Sequence, residues 1–155
     1  YVLHFSKYVG RLSENNPDEQ KPTEYLEKTI SDCFIVALAS ANTLNLDIHQ
    51  QIQQRHGIDG DTPEVIAREL NQVDEIDRID DIRTWLFNEL AKPAGEMSNA
   101  MESLDHMEAM AVRETLEEQT MNIVEDLLIA SNMMETHVGR LLNERWVEIE
   151  EESIL

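Results

Sequence analysis

The residues of this chain best equipped for chemistry are carboxylates at helical spacing. Carboxylates at i, i+1 and i+4 share one helix face, and a pair at j and j+3 on a neighbouring helix can meet them. Such a set offers hard oxygen ligands to magnesium and leaves positions for water and phosphate oxygens. A glycine on the first helix of the pair would let the two helices approach closely. Glu114, Glu117, Glu118 and Glu125, with Asn122 among them, form an acidic band along one helix. It reads either as a metal site completed by Glu96 or as a solvated helix face, and the second is the expectation. The run DEIDRIDD, ending at Asp81, lacks the glycine and terminal glutamate of a calcium loop and reads as a linker or helix start. His4, His49, His56, His106 and His137 are scattered, with no HExxH and no paired spacing, so none reads as a ligand. There is no Gly-rich phosphate loop and no GxSxG turn. Cys33, the one cysteine, sits in the apolar run SDCFIVALA and reads as a core residue. Trp85 and Trp146 could stack on a base, but burial in a core or interface is the plainer expectation.

The elements that carry these residues occur twice. FSKYVGRLSEN followed by LEKTISDCFIVALASANTLNLDI in the first half answers to LAKPAGEMSNA followed by LEEQTMNIVEDLLIASNMM in the second. Lys7, Gly10 and Ser13 fall on Lys92, Gly95 and Ser98. Leu26, Glu27, Leu38 and Asn42 fall on Leu116, Glu117, Leu128 and Asn132. The periodicity is helical throughout, with no alternating strand.

A first helix is expected over Val2 to Asn15, then a loop, ENNPDEQKPT. Thr23 is expected to cap a long helix running to His56, with a break near Asn45 or Asp47. Its apolar stripe is Leu26, Ile30, Phe34, Ala37, Leu38, Ala41 and Leu44. GIDGDT is a loop, and Thr62 before Pro63 starts a short helix to Val73. A helix over Ile82 to Leu104 should kink at Pro93. A last long helix is expected over Met107 to Glu148, with a fraying acidic tail. The chain reads as a single all-α domain: repeat 1 over about 2–56, a linker and short helix over about 57–81, repeat 2 over about 82–148, and a tail over 149–155. All seven methionines lie in the second half, which suits an adaptable core or helix interface.

Composition bounds the partners. The net charge is −20, and the only lysines are Lys7, Lys21, Lys28 and Lys92. Such a surface repels nucleic acid and anionic membranes at long range. Nucleotides would also be repelled unless a cation or a local basic cluster reversed the field. No apolar run approaches the roughly 20 residues that span a bilayer, and no secretory signal is visible. A reducing cytoplasm is the expected compartment.

VGRLSE and AGEMSNA resemble the first-helix motif E-E-x-G-E-L-x-x of the MazG-like, all-α nucleoside triphosphate pyrophosphohydrolases. LEKTISDCFIVALASANTLNLDI resembles their second motif, E-E-L-A-D-V-L-I-x-L, and dimeric dUTPases share the superfamily. The resemblance implies a pseudo-symmetric four-helix core built from the two repeats. It also implies a homodimer or larger oligomer, and magnesium-dependent cleavage of a nucleoside triphosphate to the monophosphate and pyrophosphate.

The expected ligands are largely replaced. In the first copy the family's first-helix acids fall on Lys7, Tyr8 and Arg11, and the second-helix acids on Thr29 and Asp32. In the second copy they fall on Lys92, Pro93 and Glu96, then on Gln119 and Asn122. The resemblance therefore leaves Asp32 and Glu96 as metal-ligand remnants, with Lys7, Arg11 and Lys92 as candidate phosphate-binding cations. The replacements carry a second reading. Lys7 and Arg11 beside Asp32, and Lys92 at i, i+4 from Glu96, would form internal ion pairs in place of a metal. The expectation is weakened or lost catalysis, the alternatives being a non-catalytic scaffold, a regulatory subunit or a nucleotide sensor.

Overall fold

The computed structural model describes residues 1–14, 22–73, 81–107 and 109–153. Among them are seven helices and no strand: α1 (Val2–Ser13), α2 (Pro22–Leu44), α3 (Ile48–His56), α4 (Pro63–Val73), α5 (Ile82–Asp105), α6 (Val112–Met133) and α7 (Val138–Ser153). The loop before α2 and nearly all of DEIDRIDD lie outside the described residues, apart from Asp81. That residue caps α5, accepting a hydrogen bond from the Thr84 backbone at 3.0 Å.

The helix breaks follow from backbone chemistry. Asn45 takes a left-handed conformation (φ 58°), and the Leu46 N–H reaches back to the Ala41 carbonyl at 2.9 Å. This is the Schellman pattern that ends α2. Asp47 then accepts from the Gln50 N–H at 3.0 Å and starts α3, and the two helices meet at 92°. Both residues expected to break the helix do so, one ending α2 and the other opening α3.

The second half was expected to continue as one helix from Met107 to Glu148, and it does not. Glu135 sits at φ 55°, and the Thr136 N–H bonds the Ser131 carbonyl at 3.0 Å. This is the same motif at the matching place in the repeat. Glutamate is a poor turn signal, so the break is silent in local composition. Four further boundaries differ from expectation, the first being that α6 starts at Val112 rather than Met107. α1 ends at Ser13, α2 already includes Thr23, and α7 runs through the acidic tail to Ser153. Pro93 lies inside an α5 that continues past it.

α1 packs on α2 and α5, while α6 packs on α5 and α2, closing a ring of four helices. α4 lies on α6 and α7 on α2. One buried cluster draws on all seven helices, including Phe5, Ile30, Ile52, Leu70, Leu86, Leu127 and Val138. Truncating a side chain such as Leu127, which is fully buried, to alanine typically costs about 2–5 kcal/mol. Cys33 belongs to this core, and burial followed by the nearby Asp32 charge pushes its thiol pKa up. Leu38, expected in the apolar stripe of α2, is instead exposed. No single helix is long and apolar enough to cross a membrane among the described residues.

The positive-φ positions give a direct test. Gly57 ends α3 at φ 73° with open space around it, so conformation rather than room requires glycine there. Replacing Glu135 by glycine should raise the unfolding free energy by about 0.5–1 kcal/mol, and Gly57→Ala should lower it by about 1 kcal/mol. Urea unfolding midpoints measure both. A destabilised Glu135→Gly variant would contradict strain at that turn.

Candidate functional site

Asp32 lies on α2 with its side chain 10% exposed, facing α1 and α7. Both of its oxygens are taken by guanidinium groups. Arg11 Nη1 donates to Oδ2 at 2.9 Å, and Arg145 Nε donates to Oδ1 at 2.5 Å. Arg145 also donates from Nη1 to Glu148 Oε2 at 2.8 Å, and Lys28 Nζ lies 3.6 Å from the same oxygen. The result is a chain of alternating charges from α1 through α2 to α7. Burial alone would lower the Arg145 pKa, but the hydrogen bonds and charges of Asp32 and Glu148 outweigh it and the pKa is raised.

Lys7 does not join this chain. Its ammonium stands 5.7 Å from the centroid of the Tyr8 ring, and the Arg11 guanidinium stands 5.5 Å from the same centroid. Tyr8 is buried, and its pKa is pushed up to about 12, first by burial and then by the Asp32 charge. Thr29 is also buried and spends its hydroxyl proton on the Tyr25 carbonyl of its own helix at 2.9 Å.

The second copy is built from amides. Asn122 Nδ2 donates to Gln119 Oε1 at 3.0 Å, and Gln119 Nε2 reaches Glu96 Oε2 at 3.5 Å. Arg55 Nη1 donates to Asn122 Oδ1 at 2.9 Å and to Glu125 Oε1 at 3.2 Å. His56 Nε2 stands 3.3 Å from the other Glu125 oxygen. Among the described residues Lys92 forms no ion pair with Glu96, contrary to expectation. Both side chains are exposed on α5, and the Glu96 carboxylate turns instead toward Gln119 on α6.

Arg55 and Arg145 escaped the sequence reasoning, although a signal was there. They are one repeat apart, in the register that matches Asn42 with Asn132. The structure makes them exchange halves. Arg55, from α3 of the first repeat, reaches α6, while Arg145, from α7 of the second, reaches α2.

Magnesium does not fit this donor set. Both Asp32 oxygens are held by guanidinium groups, and Glu96 has the Gln119 amide for a neighbour. Among the described residues no three His, Cys, Asp or Glu side chains gather in a metal-binding group. The acidic band on α6 is drawn to arginines, Glu125 to Arg55 and Glu117 to Arg113 at 2.7 Å. Gly10 and Gly95 do not provide the expected close helix approach, since an added Cβ at either would meet nothing within 4 Å. Gly60 does so elsewhere, where a Cβ would come within 2.8 Å of Ile66 at the start of α4. Trp85 packs half-buried against the core, whereas Trp146 is exposed and donates to Glu150 at 2.8 Å.

The two arginines should differ in weight. Arg145→Ala leaves a mostly buried carboxylate with a single partner and should cost about 2–3 kcal/mol in urea unfolding. Arg55→Ala, which leaves an amide and a carboxylate nearer solvent, should cost about 1 kcal/mol. Equal losses would show that Asp32 is not the anchor.

Tyr8 adds a pH signature. Its folded pKa lies above the ordinary value of 10.0, so its contribution is fully present below pH 10 and is lost as pH rises through about 12. The loss is on the order of 2 kcal/mol. Tyr8→Phe should flatten the fall in stability across that window and remove the step near pH 12 from the tyrosinate absorbance titration.

Comparison with protein-family models, curated proteins and solved structures finds no match to this chain.

Proposed function

We propose that this chain is a non-catalytic helical scaffold of MazG-like architecture. In this reading its two repeats form a pseudo-symmetric four-helix core, and ion-pair locks replace the family's metal site. The observation that carries it is the double guanidinium clamp on Asp32. A carboxylate ligates magnesium with its oxygen lone pairs. At Asp32 both oxygens are already engaged, and displacing two arginines from a largely buried site leaves charges without partners.

The amides Gln119 and Asn122 support the same reading in the second repeat. They keep the size of acidic side chains and supply hydrogen bonds in place of negative charge. A scaffold acts through its surface, and exposed apolar side chains at Leu104, Met107, Trp146 and Val147 give it contact area. Assembly into a homodimer or larger oligomer belongs to the same proposal.

The test is a pyrophosphate-release assay on a panel of ribo- and deoxyribonucleoside triphosphates with magnesium or manganese. No turnover is expected, and light scattering on the same sample should give a mass above the 17.9 kDa of one chain. Turnover abolished by Asp32→Ala or Glu96→Ala would overturn the proposal in favour of a pyrophosphohydrolase. Thermal stabilisation by a nucleotide without turnover would replace the scaffold with a nucleotide sensor.

A further inference from the structure

A cleft of about 680 Å³ opens between the start of α1, the end of α2, the middle of α5 and the start of α6. Its volume falls within the roughly 300–1,000 Å³ of small-molecule sites. Val2, Leu44, Met97, Met101 and Leu116 supply apolar walls, and Ser40, Thr43, Ser98 and Tyr1 supply hydroxyl groups. In a chain that is 28% charged, none of the lining residues is Asp, Glu, Lys or Arg. Besides the Tyr1 phenol, the one titratable side chain on the cleft wall is His4, so the cleft offers a ligand no carboxylate and no lysine or arginine.

Two of the hydroxyls have already spent their protons. Ser98 donates to the Ala94 carbonyl at 2.8 Å and Thr43 to the Ala39 carbonyl at 2.9 Å. Tyr1 and Thr43 meet at 3.0 Å, which leaves Tyr1 to donate to Thr43. What remains at these three oxygens is lone-pair capacity. A ligand matched to them brings a donor, a hydroxyl or an N–H, on a largely apolar body.

The repeat shows that the helix arrangement alone does not leave this space. Continuing its register, Tyr1, Ser40 and Thr43 correspond to Leu86, Ala130 and Met133. There Leu86 and Ala130 are fully buried and Met133 packs on the core. In the first repeat the same positions carry hydroxyls: Ser40 is buried and shares a hydrogen bond with Thr120 at 3.1 Å, while Tyr1 and Thr43 are exposed along the cleft.

We infer that this cleft is a binding site for a small, uncharged, mainly apolar molecule carrying one hydrogen-bond donor, such as an aromatic amine, phenol or long-chain alcohol. The inference stands apart from the scaffold reading, because it uses none of the residues around Asp32.

N-phenyl-1-naphthylamine, an uncharged aromatic amine that brightens in apolar surroundings, is the probe. Saturable one-to-one binding is expected, with shifts of the Met97 and Met101 methyl resonances and none at Met107. Thr43→Met with Met101→Trp fills the cleft at two exposed positions and should weaken binding at least about tenfold. Leu38→Asn, on an exposed part of α2 outside the cleft lining, should leave binding unchanged. The N-methylated probe, which lacks the donor, should bind more weakly than the parent amine. The inference is overturned by absence of saturable binding, by unmoved Met97 and Met101 methyls in the wild-type chain, or by undiminished binding to a natively folded double variant. Equal binding of the N-methylated probe would overturn the assigned donor.

Discussion

A carboxylate held among three helices is unfavourable unless both oxygens find partners, because desolvation acts on the charge before any pairing returns energy. Asp32 meets that requirement with one arginine from α1 and one from α7. Much else depends on it. α7 is the C-terminal helix, packs on α2, and brings in the guanidinium that completes the site. Arg145 then passes the charge on to Glu148, which Lys28 approaches from α2, so the docking of α7 is held at two levels along its length. The opposite crossing, Arg55 into the amides and Glu125 of α6, ties α3 to the other half. Each half of the chain thus pairs polar groups of the other.

The electrostatics set what these cations can still do. A net charge of −20 in a chain of 155 residues makes every positive group valuable for internal pairing. Arg11, Arg55 and Arg145 face carboxylates or amides of the protein itself, and Lys7 lies over the Tyr8 ring. A phosphate arriving at Asp32 would have to compete with a carboxylate already fixed at hydrogen-bond distance and would cross a repulsive field to do so. The arginines fit a structural role better than a substrate-binding one for this reason, independent of any motif.

Much of the fold could be read from periodicity, but the contacts that fix it could not. The heptad-like stripe of α2 and the cap at Thr62 are local signals, and local signals predict helices well. The break at Glu135 is different. Its residue type argues for continued helix, and only the correspondence with Asn45 reveals the turn. The site shows the same limit. Arg11 and Asp32 could be paired in advance, because they stand on neighbouring helices of one repeat. Arg145 joins Asp32 across most of the chain, and nothing in local spacing points to that. The Lys92–Glu96 pair was a sound i, i+4 expectation that failed because Glu96 turns to Gln119 on α6. An exposed pair on one helix is worth only a few tenths of a kcal/mol, too little to hold two long side chains against a competing partner.

The same repeat has been spent in two ways. Around Asp32, Gln119 and Asn122, positions that could have gathered like charges are neutralised, and the space is closed by hydrogen bonds. Toward the end of α2 and at Tyr1, positions that the second repeat fills with leucine, alanine and methionine carry hydroxyls instead. The acidic surface discriminates between these regions. It repels anions and attracts cations, with a strength that salt reduces, but it exerts no net force on a neutral molecule. An uncharged ligand can therefore approach this protein without reference to its field, and the cleft beneath Tyr1 offers it apolar walls and acceptor oxygens with no carboxylate, lysine or arginine to desolvate.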